Sequence, residues 1–491
     1  MRKFIPIVVI WAAVLLAYFP TFSVYFSGDD FFMFKVSLTN GSLGEFIKLL
    51  GIYPFAERGL AFYRPLFREI LHNIYFNFFG LNHIPFRILL MGVHFINISL
   101  VYFLIQNIFK KSFLSFFVAL FFGISSANVA TLYYIPGGIE SSGATAFALL
   151  TLIFYIKFLE TGKQKIRLLS LIFFGLALAS HEIVMATPLV LAAYVIIFSS
   201  KKTKLKNLLQ LWPLFLMVAA LLYIDIFQIG LSSAEEQYRA VFDPKKILHS
   251  FSWYALWALG LPEMLIDFVL PGFKLNPALM RYWGNYYIVI FISAVLSFLI
   301  LSTKTFILFF RKRGVLKKEL VFTAIWFIVA ISPVILLPAH KSGHYLIFAL
   351  TGFWSFIALI AFNFPKKATI FLIILLITLQ ITSIKLGEKT HWAATRGKTA
   401  QKLISELKSA YPSLPKGSAI YFTNDPTYPY LTKEWGGTSK QASLILNNSD
   451  ALQLLYKDPT LQVFYEDLGG VAKDFPQDKI YSIMARTNWV F

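Results

Sequence analysis

The sequence predicts a mainly α, polytopic membrane bundle of about eleven spans with a small C-terminal α/β domain, and three observations predict it. Apolar runs of roughly the 20 residues that a helix needs to cross a bilayer recur from Phe4 to Ile384. The chain is 57% hydrophobic and only 14% charged, with a mean hydropathy of +0.65, where soluble domains carry about 25% charged residues. After Glu388 the apolar runs stop and the composition becomes that of a soluble domain. The expected division is therefore 1–387 in the membrane and 388–491 outside it.

Span 1 runs from Phe4 to Phe26. It is too long for a signal-peptide core and no small-residue cleavage site follows it, so it reads as an uncleaved first span. Arg2 and Lys3 precede it, which places the N-terminus in the cytoplasm. A long first external loop then carries two short helices suited to the interface, Leu43 to Leu50 and Pro65 to Phe79. Span 2 (Ile84 to Phe109) ends at Lys110-Lys111, and span 3 is Phe113 to Tyr133. Pro136-Gly137-Gly138 reads as an external turn carrying Glu140. Spans 4 to 6 are bounded by Lys163, Lys165 and Arg167 on one side, His181-Glu182 on the other, and Lys201, Lys202, Lys204 and Lys206 at the end.

Span 7 covers Leu208 to Ile229, and an acidic second loop follows with Glu235, Glu236, Asp243, Glu263 and Asp267. Spans 8 to 11 are Tyr286 to Leu301, Leu320 to Leu337, Tyr345 to Phe362 and Ala368 to Ile384. Their inner ends carry Arg311, Lys312, Arg313, Lys317, Lys318, Lys366 and Lys367. Counting Phe251 to Leu270 as a span would turn the Arg311 to Lys318 cluster outward, against the positive-inside rule. Pro262, Glu263 and Asp267 also oppose it, so that run reads as interfacial or re-entrant. In the last domain Ala400, Leu403, Ile404 and Leu407 share a helical face. Ser418 to Phe422 and Leu461 to Tyr465 read as strands, and Ala451 to Tyr456 as a helix.

Composition also excludes chemistry. The chain has no cysteine, hence no disulfide frame, thiolate metal site or thiol nucleophile. Its net charge of +20 punctuates the apolar runs, as topology-setting loop charges do, and does not mark a nucleic-acid partner.

The polar residues that remain gather at the outer ends of the spans. Asp29 and Asp30 follow span 1 directly; either suffices to cap the next helix, and a pair exceeds that need. Arg64 precedes Pro65 in the first loop, with Arg68 one turn on; arginine's planar fork suits phosphate, and a long cation also snorkels to headgroups. Glu140, His181 and Glu182 stand at the turns around spans 4 to 6. His340, Lys341 and His344 crowd the short loop between spans 9 and 10. Transporters place their charges near the midplane. A ring at one boundary describes a reaction site there. His94, inside span 2, reads as a helix-packing hydrogen bonder.

In their order and sidedness, these motifs resemble the membrane glycosyltransferases of the GT-C fold, nearest the protein O-mannosyltransferase, aminoarabinose-transferase and TMTC-like branch. The likeness covers roughly residues 1–385. His181-Glu182 stands where TMTC-like members carry Lys-Glu, and His344-Tyr345 where they carry Arg-Tyr. Tyr63 stands where the aminoarabinose branch has a glutamate. The resemblance implies a sugar donor on a polyprenyl phosphate, such as undecaprenyl phosphate. It implies inverting transfer to a hydroxyl or amine of a protein, lipid or glycan acceptor, on the extracytoplasmic face of the plasma membrane. Asp29 or Asp30 would be the base. Arg64, Arg68, His340, Lys341 and His344 would meet the phosphate. Glu140, His181 and Glu182 would support them or help hold a divalent cation, Mg or Mn. The C-terminal domain, with Tyr421, Tyr428, Tyr430 and Trp435, would cap the site and help choose the acceptor, or these aromatics form its own core. Two rivals stand beside this reading: a polymerase or ligase using a pyrophosphate carrier, and a lipid-linked sugar transporter.

The alternation of basic clusters puts both the N-terminus inside and the last domain outside. A reporter that is active only in the cytoplasm, fused after Phe491, is expected to be silent, and a signal from it rejects this topology.

Overall fold

The computed structural model describes every residue except 1–4, 40, 232–235, 271, 273, 311–313, 429–435, 473 and 491. Arg2, Lys3, Glu235, Arg311, Lys312, Arg313, Tyr430 and Trp435 therefore lie outside the described residues. The chain is a mainly α membrane protein. Among the described residues, seven helices are long and apolar enough to cross a bilayer: Ile5–Ser23, His83–Phe109, Ile135–Thr161, Lys201–Ile229, Pro277–Leu308, Leu316–Ile335 and Lys366–Thr390. The other four apolar runs are also helical but shorter. They are Ser112–Gly123, Glu182–Phe198 and Ala349–Ala361, together with Gln164–Leu178.

The first helix shows why the bundle packs as it does. Ile7, Ile10, Val14 and Tyr18 recur at helical spacing and are buried, while Val8, Val9 and Leu16 point outward and are equally apolar. Such a helix has protein on one side and lipid on the other. Polar side chains inside the bundle bond between helices. His94 Nε2 meets the Gly123 carbonyl at 3.1 Å, as its position in span 2 implies. Asn97 donates to the Ser142 carbonyl at 2.8 Å. Gln380 donates to the Leu259 carbonyl and accepts from the Ser126 N–H, joining three segments. With no water available, each such bond replaces an unsatisfied group in hydrocarbon.

Two expectations are corrected. The run from Phe113 to Tyr133 is not one span: helix Ser112–Gly123 stops and Asn128–Tyr133 restarts. Asn128 ends the first helix by donating to the free carbonyls of Phe122 and Gly123, at 2.7 and 3.3 Å. Pro136-Gly137-Gly138 is no external turn. It lies in the first turn of Ile135–Thr161, where proline is tolerated, so Glu140 is a helical residue. Gly138 is required there, because a Cβ would lie 1.9 Å from the Thr131 carbonyl oxygen.

Segment Phe251 to Leu270 forms the end of helix Pro244–Leu259 and a 3-10 turn, Glu263–Phe268. Lysine pairs and clusters gather at one set of helix ends, and residues of mixed charge at the other. Lys110, Lys111, Lys163, Lys201, Lys366 and Lys367 flank one set of ends, and Asp29, Arg64, Glu182, His344 and His391 flank the other.

Beyond the last apolar helix, Trp392–Ala410 buries Ala400, Leu403, Ile404 and Leu407. It adjoins a three-stranded parallel sheet with Ala419–Asn424 between Gln462–Tyr465 and Ile480–Ala485. The third strand and helix Thr438–Leu446 add to what the sequence shows. This unit sits on the loop that follows the first helix. The Gly28 N–H donates to the Ile445 carbonyl at 3.0 Å, and Lys35 pairs with Asp450 at 2.7 Å. Gly397 faces Tyr25 so closely that a Cβ would lie 2.6 Å from the Tyr25 carbonyl oxygen.

A side chain at that position must push the two units apart. Gly397→Val is expected to destabilise their docking by about 1–3 kcal/mol and to hasten proteolytic release of the C-terminal segment. Gly44→Ala, in open surroundings, serves as the control; equal digestion of the two variants refutes the contact.

Candidate active site

The clustered helix ends enclose a cavity of about 420 Å³, within the roughly 300–1,000 Å³ typical of ligand sites. Four groups of residues shape its walls.

The first wall is the start of helix Asp29–Ser37, where the two acids take different tasks. Asp30 turns inward: its Oδ2 accepts from the Ser27 N–H at 2.6 Å and Oγ at 3.3 Å. It is buried and does not line the cavity. Burial pushes its carboxyl up to about 7, against the Ser27 N–H and the Arg87 charge, which pull it down. Asp29 lines the cavity, and the Tyr134 hydroxyl approaches its Oδ2 at 3.4 Å.

The second wall is an ion trio. Arg64 makes a bidentate pair with Glu182 (Nε–Oε2 2.8 Å, Nη2–Oε1 2.5 Å) and a third bond to Glu140 at 2.8 Å. Burial works against the guanidinium charge, but the two carboxylates outweigh it and hold the pKa above its usual range. One cation between two anions leaves the trio net negative. Asp225 braces it by accepting the Tyr63 N–H at 2.9 Å. His181 sits buried beside Glu182, at 3.3 Å. Burial, then the Arg64 charge, lowers its pKa, so the ring is neutral at neutral pH.

The third wall is the loop before Ala349–Ala361. His340 Nδ1 meets Gln237 Oε1 at 3.2 Å, Lys341 donates to the Pro338 carbonyl, and His344 Nδ1 meets Ser342 Oγ at 3.0 Å. Burial, then the neighbouring His181 and His340, keeps His344 well below the ordinary histidine range. Glu263 holds this loop by accepting the Gly343 N–H at 2.9 Å, and burial pushes its carboxyl up to about 7. The fourth wall is the junction Thr390-His391-Trp392. His391 caps the following helix through the Ala393 N–H, and burial lowers its pKa to about 4. The Trp392 ring lies 5.0 Å from Tyr134.

Of the residues singled out from sequence, Asp29, Arg64, Glu140, His340, Lys341 and His344 line one cavity. His181 and Glu182 stand behind it, bonded to Arg64 or beside it. Asp30 and Arg68 are turned away: Arg68 donates to the Phe62 carbonyl at 2.6 Å and pairs with Glu69 at 3.2 Å. The proposed cation finds no cluster of three acids or histidines among the described residues, and one Glu140 oxygen is held by Arg64.

Three participants were passed over. Glu263 reads in sequence as a loop charge. Trp392 lies far along the chain. Arg87 is fully buried and donates to the carbonyls of Val24, Tyr25, Leu132 and Tyr133 at 2.8–3.3 Å. It thereby clamps the chain just before Asp29 to the chain just before Tyr134. An arginine four residues into an apolar run was the available signal. No protein-family model matches the chain, and no curated protein matches it.

A carboxyl held near 7 when folded, against an ordinary 3.8, keeps its proton longer in the native state. Its contribution to stability is then greatest below about pH 4 and is lost as pH rises to about 7. Asp30→Asn removes that loss, so thermal unfolding at pH 5 and pH 8 should show the variant gaining on the parent at the higher pH. Parallel pH profiles count against a buried, protonated Asp30.

Proposed function

We propose that the chain is an integral-membrane glycosyltransferase of the GT-C kind, moving a sugar from a polyprenyl-phosphate donor to an acceptor hydroxyl or amine. The observation that carries this reading is that Asp29 lines the same cavity as Arg64, His340, Lys341 and His344. An acid and a cation in a shared cavity, Asp29 and Lys341, supply the two ends of a displacement. Asp29 takes the proton of the attacking group. The new bond forms at the anomeric carbon while the bond to the phosphate oxygen breaks, and that oxygen keeps the electron pair. Lys341, with His340 beside it, meets the charge that develops on the leaving phosphate. Arg64, already neutralised by Glu140 and Glu182, contributes chiefly by fixing the cavity floor.

Sidedness supports the same reading. The lysine clusters flank the other helix ends, and the positive-inside rule supports an extracytoplasmic cavity. That is where a transferase fed by flipped lipid-linked sugars works. The plasma membrane is the membrane such a donor implies.

The test is mass spectrometry of acceptors incubated with purified protein and a panel of polyprenyl-phosphate sugars. Asp29→Asn is expected to fold and to lose transfer by about 100-fold or more, whereas Asp30→Asn retains most of it. Full turnover in Asp29→Asn removes the base assignment. Transfer only from pyrophosphate carriers makes the protein a ligase, and lipid-linked sugar crossing without transfer makes it a transporter.

A further inference from the structure

We propose that Arg396, on the C-terminal helix Trp392–Ala410, binds an anionic group of the acceptor, a phosphate or a carboxylate, next to Trp392 in the wall of the cavity that Asp29 also lines. This rests on the transferase reading and names the class of acceptor it takes.

The argument starts from where the cavity's positive charge is available. Arg64 is met by two carboxylates. His344 and His391 are neutral through burial. Lys341 donates within its own loop, on the wall assigned to the leaving phosphate. Arg396 belongs to none of these. It follows Trp392 by four residues, so both side chains project from one face of the helix. Its guanidinium carbon lies 5.6 Å from the centre of the Trp392 ring, and Trp392 lines the cavity together with Asp29. The charge felt by Arg396 is that of Asp29, which partly offsets the burial that disfavours the cation. Among the described residues no oxygen accepts from its guanidinium, although the residue is half-buried. A stacked arginine with unanswered donors is a prepared fork for a planar or tetrahedral oxyanion.

Its position says which substrate it reads. In an inverting displacement the base and the attacking group stand on the face opposite the leaving phosphate. Trp392, on which Arg396 stacks, lies 5.0 Å from Tyr134, whose hydroxyl reaches Asp29 at 3.4 Å, so this cation stands on the Asp29 side and reads the acceptor. The fork is also held in place: His391 caps the helix start, and Gly397, the next residue, packs against the Tyr25 carbonyl just before the Asp29 loop. The C-terminal segment thus supplies a binding residue rather than a cover alone.

The experiment uses the full chain in nanodiscs and three probes that share a ring: glucose 6-phosphate, glucuronate and glucose. Direct binding is expected to favour one or both anions over glucose. Arg396→Met should weaken anion binding by about 10- to 100-fold and leave glucose unchanged, with Arg396→Lys between. In transfer assays with the same acceptors, the KM for the anion should rise while kcat stays within a few-fold, the mark of lost binding in ground and transition states alike. The two anions separate a phosphate reader from a carboxylate reader. Unchanged anion affinity in folded Arg396→Met, or equal loss for glucose, overturns the proposal and leaves Arg396 packing on Trp392. If the parent binds anions through Arg396 yet transfers no sugar, the anion site stands and the transferase reading falls. If it transfers sugar with no dependence on Arg396, the transferase reading stands and the anion site falls.

Discussion

Arg64 is tied by three hydrogen bonds to carboxylates at the starts of two helices, and the cavity's geometry depends on that tie. Glu140 is buried, and Arg64 and Glu182 are largely shielded from water. Attraction between them is strong there, and so is the cost of leaving one unpaired, about 3–5 kcal/mol when a buried pair is broken. The first loop is thus held against helix Ile135–Thr161 and the 3-10 turn Glu182–Val184. An interaction so completely satisfied positions better than it binds.

Arg87 does related work with neutral partners. Four carbonyls from two segments converge on its guanidinium, and these segments lead directly to Asp29 and Tyr134. A cation surrounded by carbonyl dipoles tolerates burial, and the carbonyls escape being unpaired in a dry interior. The side chain reaches no cavity atom, yet it decides how far Asp29 stands from Tyr134. The C-terminal unit completes the arrangement by resting on the same loop through Gly28, Lys35 and Gly397. The first loop and the C-terminal unit are thereby joined at one surface.

Much of this was legible beforehand because the relevant physics is local and additive. Hydrocarbon penalises every exposed backbone group and charge, so apolar runs of sufficient length declare themselves as helices, and lysines declare where helices end. Helical spacing of Ala400, Leu403, Ile404 and Leu407 marks a buried face in the same way. Boundaries were harder. The break at Asn128 depends on one side chain bonding two carbonyls, and Pro136-Gly137-Gly138 joins a helix because Gly138 admits the Thr131 carbonyl. Both outcomes turn on contacts that spacing does not encode.

By itself the sequence determined that this is a helical membrane protein and that its polar residues collect at one set of helix ends, because solvation energies act residue by residue. Only the tertiary structure decided which of Asp29 and Asp30 faces the cavity, since adjacent residues at a helix start point about 100° apart and one is drawn in by Ser27. It decided that Arg64 is neutralised while Arg68 turns away. It also brought Trp392 beside Tyr134 and placed Arg396 over Trp392, within the field of Asp29. Those juxtapositions join residues far apart along the chain, and packing of the whole bundle is what creates them.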